Sequence, residues 1–107
     1  MTRRAGGLTE CKKIAARASA HGVESVPHAW GSAIGLAATL QFLTALPDQP
    51  PSLRPFPMML EFEQEENSFR DHLACDPIRQ SNGIVPVPTG PGLGIEIDRA
   101  VIERHRV

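Results

Sequence analysis

Two side chains in this 107-residue chain have the type and the setting for proton chemistry. His28 follows Val-Glu-Ser-Val-Pro (23–27), and Glu61 lies inside Met-Met-Leu-Glu-Phe-Glu (58–63). An imidazole with an ordinary pKa of about 6.5 serves as base or acid near neutral pH. The competing reading of His28 is a loop residue packed beside Trp30. Glu61 is flanked by Leu60 and Phe62, and a carboxylate on an inner face is costly unless it is hydrogen-bonded or functional. Buried in such a pocket, its pKa would rise, and the neutral acid could donate to a developing oxyanion. Its alternative is a surface-facing glutamate on an edge strand. Trp30 is either a loop anchor or a platform against which a substrate rests.

The elements that must position these residues follow from periodicity. Leu8, Cys11, Ile14, Ala15 and Ala18 recur at helical steps with Lys12, Lys13 and Arg17 opposite, which predicts a helix over 8–21. Thr9 or Gly7 opens it, and Gly22 is placed to end it in the left-handed region. Residues 23–27 read as a short strand with Pro27 at its end, which puts His28 at the carboxyl end. Ser32 is a candidate N-cap for a second helix through Leu46 that is apolar nearly all round. A strand is predicted over 58–63, with Met59, Glu61 and Glu63 on one face and Met58, Leu60 and Phe62 on the other.

Nine of the ten prolines lie at or beyond Pro47, so the character of the chain changes there. Residues 47–57 read as a stiff connection, and the acidic run from Glu63 as a solvated loop. Segments 84–87 and 93–97 flank Thr89-Gly-Pro-Gly92 and predict a β-ribbon. Asp98 caps a last helix over 99–105. Alternating helix and strand up to residue 63 argues for a parallel sheet with helical crossovers. Such a sheet needs both faces covered, and two strands cannot meet that need alone.

Composition narrows the function classes. The net charge is −1 with Lys and Arg dispersed, which gives no footprint for nucleic acid or an anionic membrane. Basic residues in the first seventeen, Arg3 and Arg4 included, read as a solvated helix face. The longest apolar stretch, 33–46, is too short to span a bilayer. Cys11 and Cys75 stand far apart without a signal peptide, which predicts reduced thiols in the cytoplasm. No CxxC or HxxxH spacing marks a zinc site, and the glutamates at 61, 63, 65 and 66 make no EF-hand pattern, so no metal site is expected. Gly90-Pro-Gly-Leu-Gly94 lacks the GxGxxG spacing and precedes a strand, so it is rejected as a phosphate loop.

Several stretches together resemble the C-terminal part of the enolase superfamily in its mandelate racemase/muconate lactonizing enzyme branch. Arg4-Ala-Gly-Gly-Leu-Thr-Glu10 resembles the turn leaving the sixth barrel strand. Val26-Pro-His-Ala-Trp30 resembles the end of the seventh, and Met59-Leu-Glu-Phe62 the eighth. Asn67-Ser-Phe-Arg70 and residues 83–98 resemble the tail that returns to the family's capping domain. The phrase His-Ala-Trp-Gly and the Leu-Gln-Phe-Leu helix look most similar to acid-sugar cycloisomerases and dehydratases of that branch.

The resemblance implies an α/β fold: the C-terminal part of a TIM-like (β/α)7β barrel, with the last two to three strands and two helices, plus a β-ribbon and helix tail. Residues 1–63 would form the partial barrel and 64–107 the capping tail. It implies Mg²⁺-dependent removal of the proton α to a carboxylate of an acid sugar or sugar lactone. His28 would be the catalytic histidine, Glu61 the glutamate that hydrogen-bonds the substrate carboxylate, and Trp30 a substrate-binding residue. The family's metal-binding carboxylates and lysine base lie on earlier strands, so no Mg²⁺ is expected to bind this chain alone. The aspartate that orients the histidine falls before the Arg-Ala-Gly-Gly turn, which leaves the imidazole without its usual support. A C-terminal fragment, inactive alone and self-associating through exposed barrel edges, is therefore expected, from a truncated gene or a misplaced start. A subunit completing a split barrel and a repurposed small binding module are the alternatives.

Overall fold

The computed structural model describes residues 5–46 and 57–107. The expected connection over 47–57, apart from Pro57, and the basic residues Arg3 and Arg4 lie outside the described residues. Helix α1 spans Leu8–Ala20 and starts at Gly7, whose φ of 93° makes it a glycine N-cap without a side-chain hydrogen bond. It ends at His21, and Gly22 follows at φ 69° in the left-handed region, as its position predicts.

Strand β1 is His28–Ala29 and strand β2 is Glu61–Phe62, joined through helix α2, Ala33–Thr44. The strands pair in parallel, as a crossover through a helix requires. The ladder is shorter and later than the sequence suggests: residues 23–27 are not in a strand, and pairing begins at His28. Pro27 has no N–H to contribute, but its buried carbonyl accepts from Glu61 N at 3.0 Å and starts the pairing.

Helix α2 is the centre of the packing. Ser32 caps it, its hydroxyl accepting from Gly35 N at 3.3 Å. Seven of its residues are buried, including Leu36, Ala37, Leu40, Phe42 and Leu43. Such all-round burial is what its nearly uniform apolar sequence needs. Phe42 packs with Cys11 and Ala15 of α1, while Leu36 and Leu40 pack with Ala29, Leu60, Phe62, Ile78, Val85 and Val87. Burial of each Leu side chain contributes about 2 kcal/mol. Thr39, also buried, satisfies its hydroxyl by donating to Gly35 O at 2.8 Å.

The C-terminal segment wraps back onto the same helix. Ala33 shares a core with Leu73, Ala74 and Val101, the last from helix α4, Arg99–Arg104. Asp98 caps α4 by accepting from Ala100 N at 2.9 Å. A one-turn helix α3, Ser68–Asp71, was not predicted; Asn67 caps it by accepting from Phe69 N and Arg70 N.

The expected β-ribbon does not pair with itself. Ile97 instead forms a single antiparallel bridge to Ala74, and Ile84 closes on Ser81 around Asn82-Gly83. Pro86, Pro88 and Pro91 remove the amide donors that a ladder between the two segments would use. Gln41 of α2 takes up the loop instead, donating through Nε2 to Pro88 O at 2.7 Å and Leu93 O at 3.5 Å. Gly94, at φ 77°, sits so close to Pro88 that an added Cβ would come within 2.6 Å of it.

Candidate active site

His28 and Glu61 are direct partners in the parallel register, and Ala29 faces Phe62 one step on. Because side chains alternate along a strand, Ala29 and Phe62 point into the core while His28 and Glu61 share the outer face. There, His28 Nδ1 lies 3.1 Å from Glu61 Oε2. A carboxylate therefore stands at Nδ1 of His28. Of the strand expected over 58–63 only Glu61–Phe62 pairs; the expected alternation holds for Leu60 and Phe62, which face the core, but not for Met58, which is exposed.

The side chains of His28 and Glu61 are 55% and 65% exposed. The buried pocket expected around Glu61 is thus not formed among the described residues, where the one parallel pair has no neighbouring strands to enclose it. Trp30, two residues after His28, is 68% exposed and does not anchor its loop in the core.

Beyond β2 lies a group that sequence reasoning missed. Arg70 of α3 is buried, and its guanidinium forms a fork to Asp71, with Nε to Oδ1 at 2.9 Å and Nη2 to Oδ2 at 3.1 Å. The same guanidinium donates to Glu63 O at 2.8 Å and to Glu65 O at 2.6 Å. It lies over the Phe62 ring, 5.6 Å from the centroid, and 3.5 Å from Glu63 Oε2. Hydrogen bonding to Asp71 raises the Arg70 pKa further, and the reciprocal bond from Arg70 holds the Asp71 carboxyl below its ordinary range. The expected solvated run after the strand holds for Gln64, Glu65 and Glu66, which are exposed, whereas Glu63 is half-buried with its side chain turned to Arg70, which offsets its desolvation. The available signals were Asn67 as an N-cap and a single arginine placed after Glu63, Glu65 and Glu66. A cleft of about 210 Å³ opens beside this cluster, lined by Phe62, Glu63, Arg70, Asp71, Ile78 and Arg79 among others.

Among the described residues, no three His, Cys, Asp or Glu side chains converge as metal ligands. Glu61 faces His28 and Glu63 faces Arg70, so these carboxylates do not combine into an oxygen cage for Mg²⁺. The described residues by themselves do not fit that ion. Cys11 is buried and Cys75 exposed, and they are not bonded to each other. Among the described residues, no helix is long and apolar enough to cross a membrane.

Two parallel strands joined through a helix, with a histidine and a carboxylate paired on one face, fit the β/α-barrel pattern. Residues 2–101 match the family described as Enolase C-terminal domain-like, and the chain belongs to that family. It is 42% identical to D-galactarolactone cycloisomerase of Agrobacterium fabrum, over 95% of this chain and 27% of that protein. It is 36% identical to D-galactonate dehydratase of Verminephrobacter eiseniae, over 95% of this chain and 26% of that protein. A solved structure of the mandelate racemase type from Bordetella bronchiseptica RB50, complexed with 2-oxoglutarate/phosphate, superposes with a TM-score of 0.77 at 36% identity. That match covers 95% of this chain and 25% of the other. The chain thus forms part of a TIM-like barrel and spans about a quarter of the length of these relatives.

Proposed function

We propose that this chain supplies the histidine–glutamate edge of a barrel site that removes the proton α to the carboxylate of an acid sugar or sugar lactone. The observation that carries the reading is the 3.1 Å approach of His28 Nδ1 to Glu61 Oε2 across the register of two paired parallel strands. With Nδ1 directed at the carboxylate, proton exchange falls to Nε2. That nitrogen accepts the α-proton while the C–H electron pair moves into the adjacent carbonyl to form an enediolate. The electron pair then expels a β-oxygen. Expelling the ring oxygen of a lactone as a carboxylate opens the ring and completes an isomerisation; expelling a β-hydroxyl with a proton, as water, completes a dehydration. In both cases the enol left behind takes up a proton to become the 2-keto acid.

Glu61 orients the imidazole and stabilises its cationic form after proton transfer. In its protonated form it can also donate to the substrate carboxylate. Trp30, exposed beside His28, offers an aromatic face to the substrate. Mg²⁺ belongs to this proposal only through ligands supplied outside the chain.

Residues 64–107 act in this reading as the tail leading to a capping domain, and residues 1–63 as the barrel segment. The place of action is the cytoplasm, where Cys11 and Cys75 stay reduced. The open edges of β1 and β2 and the exposed apolar side chains of Met58, Met59 and Trp30 favour association, with another copy or with a polypeptide that completes the barrel.

The test is complementation. The chain is co-produced with the part of the Agrobacterium fabrum cycloisomerase that precedes the matched quarter, and the purified complex is incubated in D₂O with galactarolactone and a panel of sugar acids. Deuterium exchanged into recovered substrate at the α-carbon and into product at the carbon beside its new carbonyl, reduced by at least about 10²-fold in His28→Asn, is the expected result. A folded complex that exchanges no substrate, or exchanges equally well with His28→Asn, would sink the proposal.

A further inference from the structure

Glu61, the first residue of β2, is held by very little of the sheet. The ladder is two residues long, Glu61 N donates to Pro27 O on the upstream side, and the side chain is too exposed for packing to choose its rotamer. What fixes the chain just beyond Glu61 is Arg70. Its guanidinium covers the ring of Phe62 and binds the carbonyls of Glu63 and Glu65, so it grips three of the next four residues.

Arg70 is itself placed by a second set of contacts. Asp71 forks its guanidinium, Asn67 N donates to Asp71 Oδ2 at 3.1 Å, and the Asn67 side chain caps the helix that carries both residues. A planar guanidinium with donors along two edges can serve a carboxylate and two carbonyls together, which an ammonium group cannot do in the same geometry.

From this arrangement we infer that Arg70 is a positioning residue for Glu61. Through Asn67, Asp71 and residues 62–65, it sets the exit of β2 so that the Glu61 carboxylate reaches His28. The inference rests on the reading of His28 and Glu61 as a site, but it concerns geometry and does not need turnover to be tested.

The experiment is NMR on the 107-residue chain, reading the cross-relaxation between the His28 Hε1 proton and the Glu61 Hγ protons. The wild-type chain is expected to show it. Arg70→Lys and Asp71→Asn are expected to lose it while keeping the cross-peaks between Ala29 and Leu36 that report the core. Val101→Ala, which weakens the C-terminal core without touching residues 62–65, is expected to retain it and so separates positioning from general loss of stability. The inference is overturned if Arg70→Lys and Asp71→Asn both retain the signal, or if the wild-type chain lacks it. It is equally overturned if both variants lose the core cross-peaks along with it, since Arg70 would then be only a scaffold for the fold. The barrel chemistry fails by a different result, the absence of deuterium exchange in the completed enzyme.

Discussion

The Cα atoms of His28 and Glu61 are register partners in a parallel ladder, and that single pairing brings an imidazole and a carboxylate within 3.1 Å on the outer face of the sheet. A slip of one residue would turn Glu61 into the core and Phe62 out to solvent. The register is held by the core on the other face, where Leu60 and Phe62 meet Leu36 and Leu40. Packing and site geometry are therefore coupled through one strand pair.

That coupling gives opposite expectations for the two faces. Leu40→Ala, in the core, is expected to cost about 3 kcal/mol. Glu61→Gln, at an exposed pair, is expected to change stability by no more than about 0.5 kcal/mol. Urea denaturation followed by circular dichroism measures both. A Glu61→Gln loss as large as that of Leu40→Ala would mean that the pair holds the fold rather than serving chemistry.

Acid should weaken the chain through Asp71. Its folded pKa is held below the unfolded value of about 3.9 by the hydrogen bond from Arg70, so its stabilisation is complete above that value. It is lost as the pH falls through the lower folded pKa. Asp71→Asn is expected to be less stable than the wild type by about 1 kcal/mol at pH 6, a modest figure because the carboxylate is partly solvated. The gap should narrow as the pH is lowered from 4 toward 2. Thermal midpoints across that range provide the check, and a gap independent of pH would contradict the assignment.

Two glycines in the same loop should behave differently. Gly94→Ala places a Cβ 2.6 Å from Pro88 at a φ of 77°, and is expected to cost about 3 kcal/mol. Gly92→Ala, at φ 65° with nothing within 4 Å, should cost only about 1 kcal/mol from the backbone. Equal losses in denaturant midpoint would show that the close approach of Pro88 is not maintained in solution.

Association should depend on the apolar surface near β2. Met58 and Met59 are 41% and 44% exposed just ahead of the open strand. Met59→Glu is expected to shift the chain toward monomer in sedimentation velocity at high concentration, since it adds charge beside an unpaired edge. A wild-type chain that stays monomeric under those conditions would remove the basis for this expectation.

Much of the local structure was legible in the sequence because its causes are local. The apolar spacing of Leu8 to Ala18 set α1, the uniform apolarity of 33–43 announced a helix covered on several sides, and Ser32, Asp98 and Gly22 marked ends through their own side-chain or backbone chemistry. His28 and Glu61 stood out by residue type, and the stretches around them and along the chain resembled the family to which it belongs.

What the tertiary structure decided was everything that depends on a partner distant in the chain. Only the fold shows that Glu61 reaches Nδ1 of His28, that Ile97 pairs with Ala74 instead of the 84–87 segment, and that Gln41 holds the proline-rich loop. Arg70 is a related case: its acceptors are near in sequence, but two of them are backbone carbonyls, which every residue carries and no residue type announces. A hydrogen bond or a buried charge is favourable only when its partner is in place and water is excluded, and chain geometry in three dimensions settles both.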